Sequence, residues 1–313
     1  MTASIRVQSR VHLHGIPREA ALRAALESPA CFAEDGRALS WVSSLSDGYP
    51  YDEATALFGR YHRWSGNFEG VESCRKVLEQ RIITSGLLGR DGIGYAFDSA
   101  LALPLLASPE ALSTRVLKLL QTERSCTEVR RPGWWSESFG PHLIRSLAAL
   151  AAQGFGTASE EIAQHLVRTC FDGNRFRIHE DSPATYVHAH CYALEGLLSL
   201  GIRGDVVLAG AEWLARLQSQ DGALPNWVGA PADVEPTDAV AQALRIWSTF
   251  DSSAFVEPMH RARSFLAARQ ERDGVLTYSR QSSDRCSWAN LFAAQAIRWS
   301  ESGVDSAALK LLI

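Results

Sequence analysis

Apolar and polar positions along this chain repeat over a distance longer than any one helix. Six times a polar residue opens a run of small apolar residues: Asp52-EATALF, Asp98-SALALP, His142-LIRSLA, His190-CYALEG, Asp238-AVAQAL and Asn290-LFAAQA. Successive copies lie roughly 45–50 residues apart, a spacing that marks a repeat architecture. Each run is apolar over most of a helical circumference, as expected of a helix touched by other helices all round. Between the runs lie amphipathic stretches at 71–83, 112–122, 160–170, 210–218 and 261–270, most of them followed by a Gly or Asp-Gly turn that stops a helix. An amphipathic helix over 16–28, with Pro17 in its first turn, comes before them all.

A hairpin made of one enclosed and one amphipathic helix cannot bury its apolar face alone, whereas a closed ring gives every hairpin two neighbours. The pattern therefore predicts an all-α (α/α)6 toroid over residues 41–313, with residues 1–40 as an N-terminal entry segment. Two copies overlay well. Residues 210–222 and 261–274 share an aromatic (Trp213, Phe265), a Gln (Gln218, Gln270) and an Asp-Gly turn.

These turns resemble the Gln-Trp repeat of the squalene cyclase and protein prenyltransferase superfamily, most clearly over 204–299. The resemblance implies that the Gln caps an outer helix and that the aromatic packs on the turn. The segments GYPYDEATALF, YVHAHCYALEGLL and CSWANLFAAQAIRW are similar to the broad group of six-hairpin toroids that includes glycosidases, polysaccharide lyases and sugar epimerases.

Composition narrows the function classes. The net charge is −4 and no Lys/Arg run stands out, so the electrostatic footprint of a nucleic-acid binder is missing. Met1–Gly15 lacks a signal-peptide core and no stretch approaches the ~20 apolar residues of a spanning helix, which predicts a cytoplasmic protein without a membrane partner. The six cysteines are scattered and form no CxxC pair, as fits buried free thiols in a reducing compartment. Nothing in the sequence sets the oligomeric state.

Closure would gather the repeated polar position around one axis. The predicted catalytic ring is His190 and Asp238 first, then Asp52, Asp98 and His142, with Asn290 completing it. Glu53, Glu137, His188, Glu235, Asp284 and Cys286 lie at the same level, with Tyr51, Tyr95, Tyr186, Trp134, Trp135, Trp227 and Trp288 as walls. Carboxylates and imidazoles crowded into one cavity shift each other's proton affinities, which acid–base catalysis requires. Acids at helix N-termini equally well serve as caps, so Asp52, Asp98 and Asp238 fit a structural role too; histidine is a poorer cap. Cys191 and Cys286 read as core.

The leading expectation is an acid–base enzyme acting on a sugar or polyol, as hydrolase, lyase or epimerase, with a small-molecule substrate and no cofactor. The Gln-Trp resemblance implies a second chemistry, cyclisation or transfer of an isoprenoid. The Asp-x-Asp-Asp motif of class II cyclases is absent, however, and the chain is about half the length of a two-domain cyclase. A zinc site is the third reading. Asp284-Arg285-Cys286 resembles part of the prenyltransferase β-subunit zinc site, and the His190 segment resembles the one supplying its histidine, in reversed chain order. A toroid that only binds a small molecule or peptide is the non-catalytic alternative.

Overall fold

The computed structural model describes residues 16–43, 45–122, 139–232, 234–251, 253–304 and 306–313. In it the apolar runs form the inner wall of a ring. The helices alternate outward and inward: α1 (Glu19–Leu26), α2 (Asp52–Ser65), α3 (Phe68–Ser85), α4 (Ala96–Ala102), α5 (Glu110–Thr122), α6 (Ile144–Leu150), α7 (Gly156–Cys170), α8 (Val187–Ser199), α9 (Asp205–Leu217), α10 (Thr237–Trp247), α11 (Val256–Arg269) and α12 (Ser287–Ser302). Even-numbered helices are inner. Each inner helix packs on the next, α12 packs back on α2, and the (α/α)6 toroid is closed. Alanines at 54, 56, 100, 193, 239, 241, 243, 293, 294 and 296 are fully buried, which lets the inner helices approach one another closely. Among the described residues no helix is long and apolar enough to cross a membrane.

Among the described residues, sheet consists of three two-residue ladders and a few isolated bridges. β1 (Trp41–Val42) pairs antiparallel with β6 (Arg285–Cys286), β2 (Gly89–Arg90) with β3 (Ile93–Gly94), and β4 (Thr185–Tyr186) with β5 (Trp227–Val228). The β4–β5 pair joins consecutive hairpins; β1–β6 makes the same join between the last hairpin and the first.

The repeated Gln shows how closure is fastened. Gln218, at the end of α9, donates from Nε2 to Gly222 O of its own turn and to Pro258 O in the first turn of α11, both at 3.2 Å. Gln270, at the end of α11, donates to Gly274 O and to Arg18 O just before α1, both at 2.9 Å, and its Oε1 accepts from Arg18 N at 2.7 Å. One device thus links α9 to α11 and α11 to α1. Helix α1 packs on α12 as the sixth outer helix, so a boundary at residue 40 does not separate an entry segment from the toroid.

At the end of the ring reached by the C-termini of the inner helices, the axis is filled. Arg60, Arg145, Arg245, Glu195 and Gln295 are all buried there, and Leu312 and Ile313 enter between them. Leu312 O accepts from Arg60 Nη2 at 2.6 Å and Arg145 Nη2 at 2.7 Å, Ile313 O accepts from Arg245 Nη1 at 3.2 Å, and Arg245 Nη2 meets Glu195 Oε1 at 2.6 Å.

Two substitutions test this framework by chemical denaturation. A Cβ on Gly274, whose φ is +96°, would stand 2.4 Å from Ala21 O of α1. Gly274→Ala is expected to cost at least ~1–3 kcal/mol, with hydrogen exchange rising first in α1 and α12. Glu195→Ala strands Arg245 as a buried unpaired charge and is expected to cost about 3–5 kcal/mol.

Candidate functional site

Helices α8, α10 and α12 each begin from an extended residue, and their first backbone N–H is tied to the next hairpin. Val187 N donates to Asn226 O at 2.9 Å, Thr237 N to Tyr278 O at 2.7 Å and Ser287 N to Ser40 O at 2.9 Å. These bonds fix the rotation of each helix about its own axis. Residue two of the helix then faces the ring axis, and residue four, two steps of ~100° further round, faces the outer helices.

The second residues are Glu53 of α2, Phe97 of α4, His188 of α8, Asp238 of α10 and Trp288 of α12. His142, in the single 3₁₀ turn Pro141–Leu143 that leads into α6, takes the equivalent place. Five of these six line a cavity of ≈ 200 Å³ on the axis; Tyr51, Tyr95, Asp98, Tyr186 and Arg90 complete it. Asp238 sits directly behind: its Oδ2 accepts from Trp288 Nε1 at 2.9 Å and lies 3.7 Å from His188 Nδ1. The order around the ring puts α2 opposite α8, so His188 faces Glu53 and Tyr51 across the axis.

The fourth residues do something else. Thr55, Ser99, His190 and Asn290 accept the backbone N–H of Ala38, Leu88, Phe176 and Leu276 at 2.9, 3.0, 3.0 and 2.7 Å. Each pins the turn that precedes its own helix. His190, predicted to lead the catalysis, is therefore a structural acceptor with no solvent exposure. Its Nδ1 takes Phe176 N–H, its Nε2 faces Gly210 O at 3.3 Å, and burial pushes it down to about 3, which keeps it neutral. Asn290 is likewise saturated, its Nδ2 donating to Leu276 O and Cys286 O.

Two further predictions are corrected. Asp52 is the first residue of α2 and points away from the cavity. Its carboxylate accepts from Arg81 Nε at 3.1 Å and Gly89 N at 3.2 Å, anchoring the β2–β3 hairpin that carries Arg90 to the cavity. Trp227 packs behind Tyr186 with ring centroids 4.8 Å apart and the rings tilted by 31°, and supports the wall without forming it. Of the same-level neighbours, Glu235 pairs with Arg280 at 3.1 Å, Asp284 accepts from Trp41 Nε1 at 3.0 Å, and Cys286 is buried on β6. Trp134, Trp135 and Glu137 lie outside the described residues.

Arg90 and Phe97 are the cavity residues that the sequence did not point to. Phe97 is recoverable from the second-residue register. Arg90 has no comparable signal, because a hairpin turning at Asp91 (φ +53°) and Gly92 (φ +78°) delivers it.

Electrostatics divide the cavity into roles. Burial pushes His188 below the ordinary imidazole range, opposed by the charges of Asp238 and Glu195. Burial raises Tyr51 and Tyr186 far above the ordinary phenol range, helped by Glu53 and Asp98 at Tyr51 and by Asp238 at Tyr186, so both phenols keep their protons. The zinc arrangement does not assemble: both His190 nitrogens are engaged, and Asp284 is held by Trp41. Among the described residues, the one group with ligand atoms close enough to share an ion is His179, Glu180 and Asp181, none of which lines the cavity.

No protein-family model and no curated protein sequence matches the chain. Among solved structures, an alpha-amylase from Clostridium perfringens is similar with a TM-score of 0.64 and 13% identity, over 90% of this chain and 97% of that one. A glycosyl hydrolase family 88 protein from Bacteroides vulgatus gives 0.62 at 9% identity, over 90% and 97%. A type II terpene cyclase from Scytonema gives 0.59 at 13%, over 89% and 96%. At such identities the likeness establishes the shared toroid.

The structural role of His190 predicts an acid sensitivity. The unfolded chain protonates this imidazole below about pH 6.5, whereas the folded chain resists protonation down to about 3. Stability is therefore complete above the unfolded value and is lost as pH falls through this window. His190→Asn, which copies Asn290, is expected to keep stability at pH 7.5 and to flatten its decline between pH 6.5 and 4. His190→Ala should lose about 1–3 kcal/mol at pH 7.5.

Proposed function

We propose that the axial cavity is the active site of an enzyme that performs acid–base chemistry on a sugar or polyol. The observation that carries this reading is the His188–Asp238 pair on one wall with Glu53 and Tyr51 on the wall opposite. Asp238, held by Trp288, lies 3.7 Å from His188 Nδ1, where its charge favours a hydrogen on that nitrogen and leaves Nε2 for substrate. A neutral buried imidazole in that tautomer is a general base. Across the axis, Tyr51 retains its proton and Glu53 supplies a second carboxyl, so a proton taken on one side is replaced on the other.

That arrangement serves hydrolysis, elimination or epimerisation alike, since each moves a proton at both sides of one substrate centre. Tyr95, Tyr186 and Trp288 line the cavity and are the aromatic groups that would pack on the apolar face of a sugar. The cavity volume of ≈ 200 Å³ is below the ~300–1,000 Å³ usual for larger ligands, and suits one small ring better than an isoprenoid chain. The likeness to an amylase and a family 88 glycosyl hydrolase supports carbohydrate chemistry, and the likeness to a terpene cyclase supports isoprenoid chemistry as the second reading.

The test is turnover of a panel of glycosides, oligosaccharides and free sugars in D2O, read by mass and NMR for cleavage, elimination or solvent-deuterium uptake. Wild type should convert one class, and His188→Gln and Glu53→Gln should each lower kcat/KM by ~10²–10⁴ with an unchanged melting temperature. Binding without conversion would leave a sugar-binding toroid, and conversion of an isoprenoid alone would favour the second reading. Because the base works unprotonated and burial holds His188 below the ordinary imidazole range, kcat/KM should fall on the acid side of that range. Asp238 raises the affinity of His188 for its proton, so Asp238→Asn should move this limb to lower pH while slowing the reaction.

A further inference from the structure

We propose that Trp41 and Tyr278 form a second sugar-binding subsite at the mouth of the axial cavity. The substrate class is then an oligosaccharide, with its terminal ring in the cavity and its next ring on Trp41. This rests on the reading of the cavity as the site of a sugar-active enzyme and names the substrate within that reading.

At the far end of the axis Arg60, Arg145 and Arg245 close on the Leu312 and Ile313 carbonyls, so a sugar chain cannot thread the ring. The cavity of ≈ 200 Å³ suits one ring. Any further unit must lie at the end where the inner helices begin, against the segments that precede them. Trp41 belongs to such a segment. It stands on β1 opposite Cys286, the residue just before α12. Its ring centroid is 6.0 Å from that of Trp288, which lines the cavity, with the planes 48° apart. Tyr278 comes next, 4.4 Å from Trp41 with the planes 61° apart. The three rings make a continuous row that starts at the cavity wall. Tyr278 O accepts from Thr237 N at the start of α10, so the row lies along α10 and α12, between the helix that carries Asp238 and α2, which carries Glu53.

Trp41 is fixed more firmly than its burial explains. Its backbone is in the β1–β6 pair, and its indole Nε1 donates to Asp284 Oδ2 at 3.0 Å. Yet Trp41 and Tyr278 are only half-buried, and among the described residues neither belongs to the hydrophobic core. A tryptophan stabilises a fold chiefly by burying its large ring. One that is held in place outside the core is preorganised for a group that packs on it, because the cost of ordering the side chain is met before the ligand arrives. The Asp284 carboxylate beside the indole adds an acceptor for sugar hydroxyls.

The experiment compares one ring with two. The full chain is titrated with the methyl glycosides of glucose, galactose, mannose and xylose and with the α- and β-linked di- and trisaccharides of the same units. Binding is read by calorimetry, or as kcat/KM for any sugar that is converted. The indole N–H signal of Trp41, identified by its loss in Trp41→Phe, is followed by NMR. In at least one series the disaccharide should be favoured over the methyl glycoside by about tenfold. The Trp41 signal should move with the disaccharide and stay put with the methyl glycoside. Trp41→Ala should bring the disaccharide down to the level of the methyl glycoside and leave the latter unchanged, while Trp41→Phe keeps part of the preference. A residue that only braces the ring closure would weaken both ligands alike, and that result overturns the proposal. Should Trp41→Ala fold poorly, the wild-type signal decides: a disaccharide that binds without moving it refutes the subsite. Equal binding of one ring and two refutes the subsite and leaves the proposed function standing. If no sugar of any length binds, both fall, whereas tight binding of disaccharides without turnover counts against the enzyme alone.

Discussion

The seating of α1 against α12, held by Gln270 on Arg18 and by the β1–β6 pair, joins parts of the chain 252 residues apart. Each helical hairpin has an apolar face it cannot cover, and an open row of six would leave two such faces in water. Closing the row removes both and forces the six inner helices into parallel around one axis. All their N-termini then come to one end, where three of the second residues are acids or imidazoles on the cavity wall and a fourth, Asp238, stands just behind.

Burying charge along that axis requires different compensation at its two ends. At the far end the guanidinium groups of Arg60, Arg145 and Arg245 are buried, and backbone carbonyls of Leu312 and Ile313 with Glu195 receive them. At the cavity end the tools are proton retention and pairing. Tyr51 and Tyr186 keep their protons, His188 stays neutral, and Asp238 has the Trp288 indole. A neutral imidazole beside a fixed carboxylate is costly to place in a core, and it makes sense where a proton is to be moved.

Inner helices divide their side chains between two tasks by rotation alone. Residue two looks at the axis and residue four at the outer layer, so polar residues two apart in sequence have unrelated jobs. His188 and His190 show this within one turn. The first stands on the cavity wall; the second accepts the Phe176 N–H, as Asn290, Ser99 and Thr55 accept theirs in other hairpins.

The sequence by itself determined the repeat, the class of fold and the end of the ring where polar side chains gather. Those follow from apolar periodicity, Ala content and turn chemistry, all of which are local. It also placed Glu53, Asp98, His142, His188, Tyr51, Tyr186 and Trp288 at the right level. Only the tertiary structure decided which residue of each helix faces inward, because the rotation is set by bonds between hairpins, such as Thr237 N to Tyr278 O, that no single repeat contains. Aligning repeats by their polar residues mixed first, second, third and fourth positions. That is why Asp52, His190 and Asn290 proved to be anchors and why Phe97 and Arg90 had to be found in space.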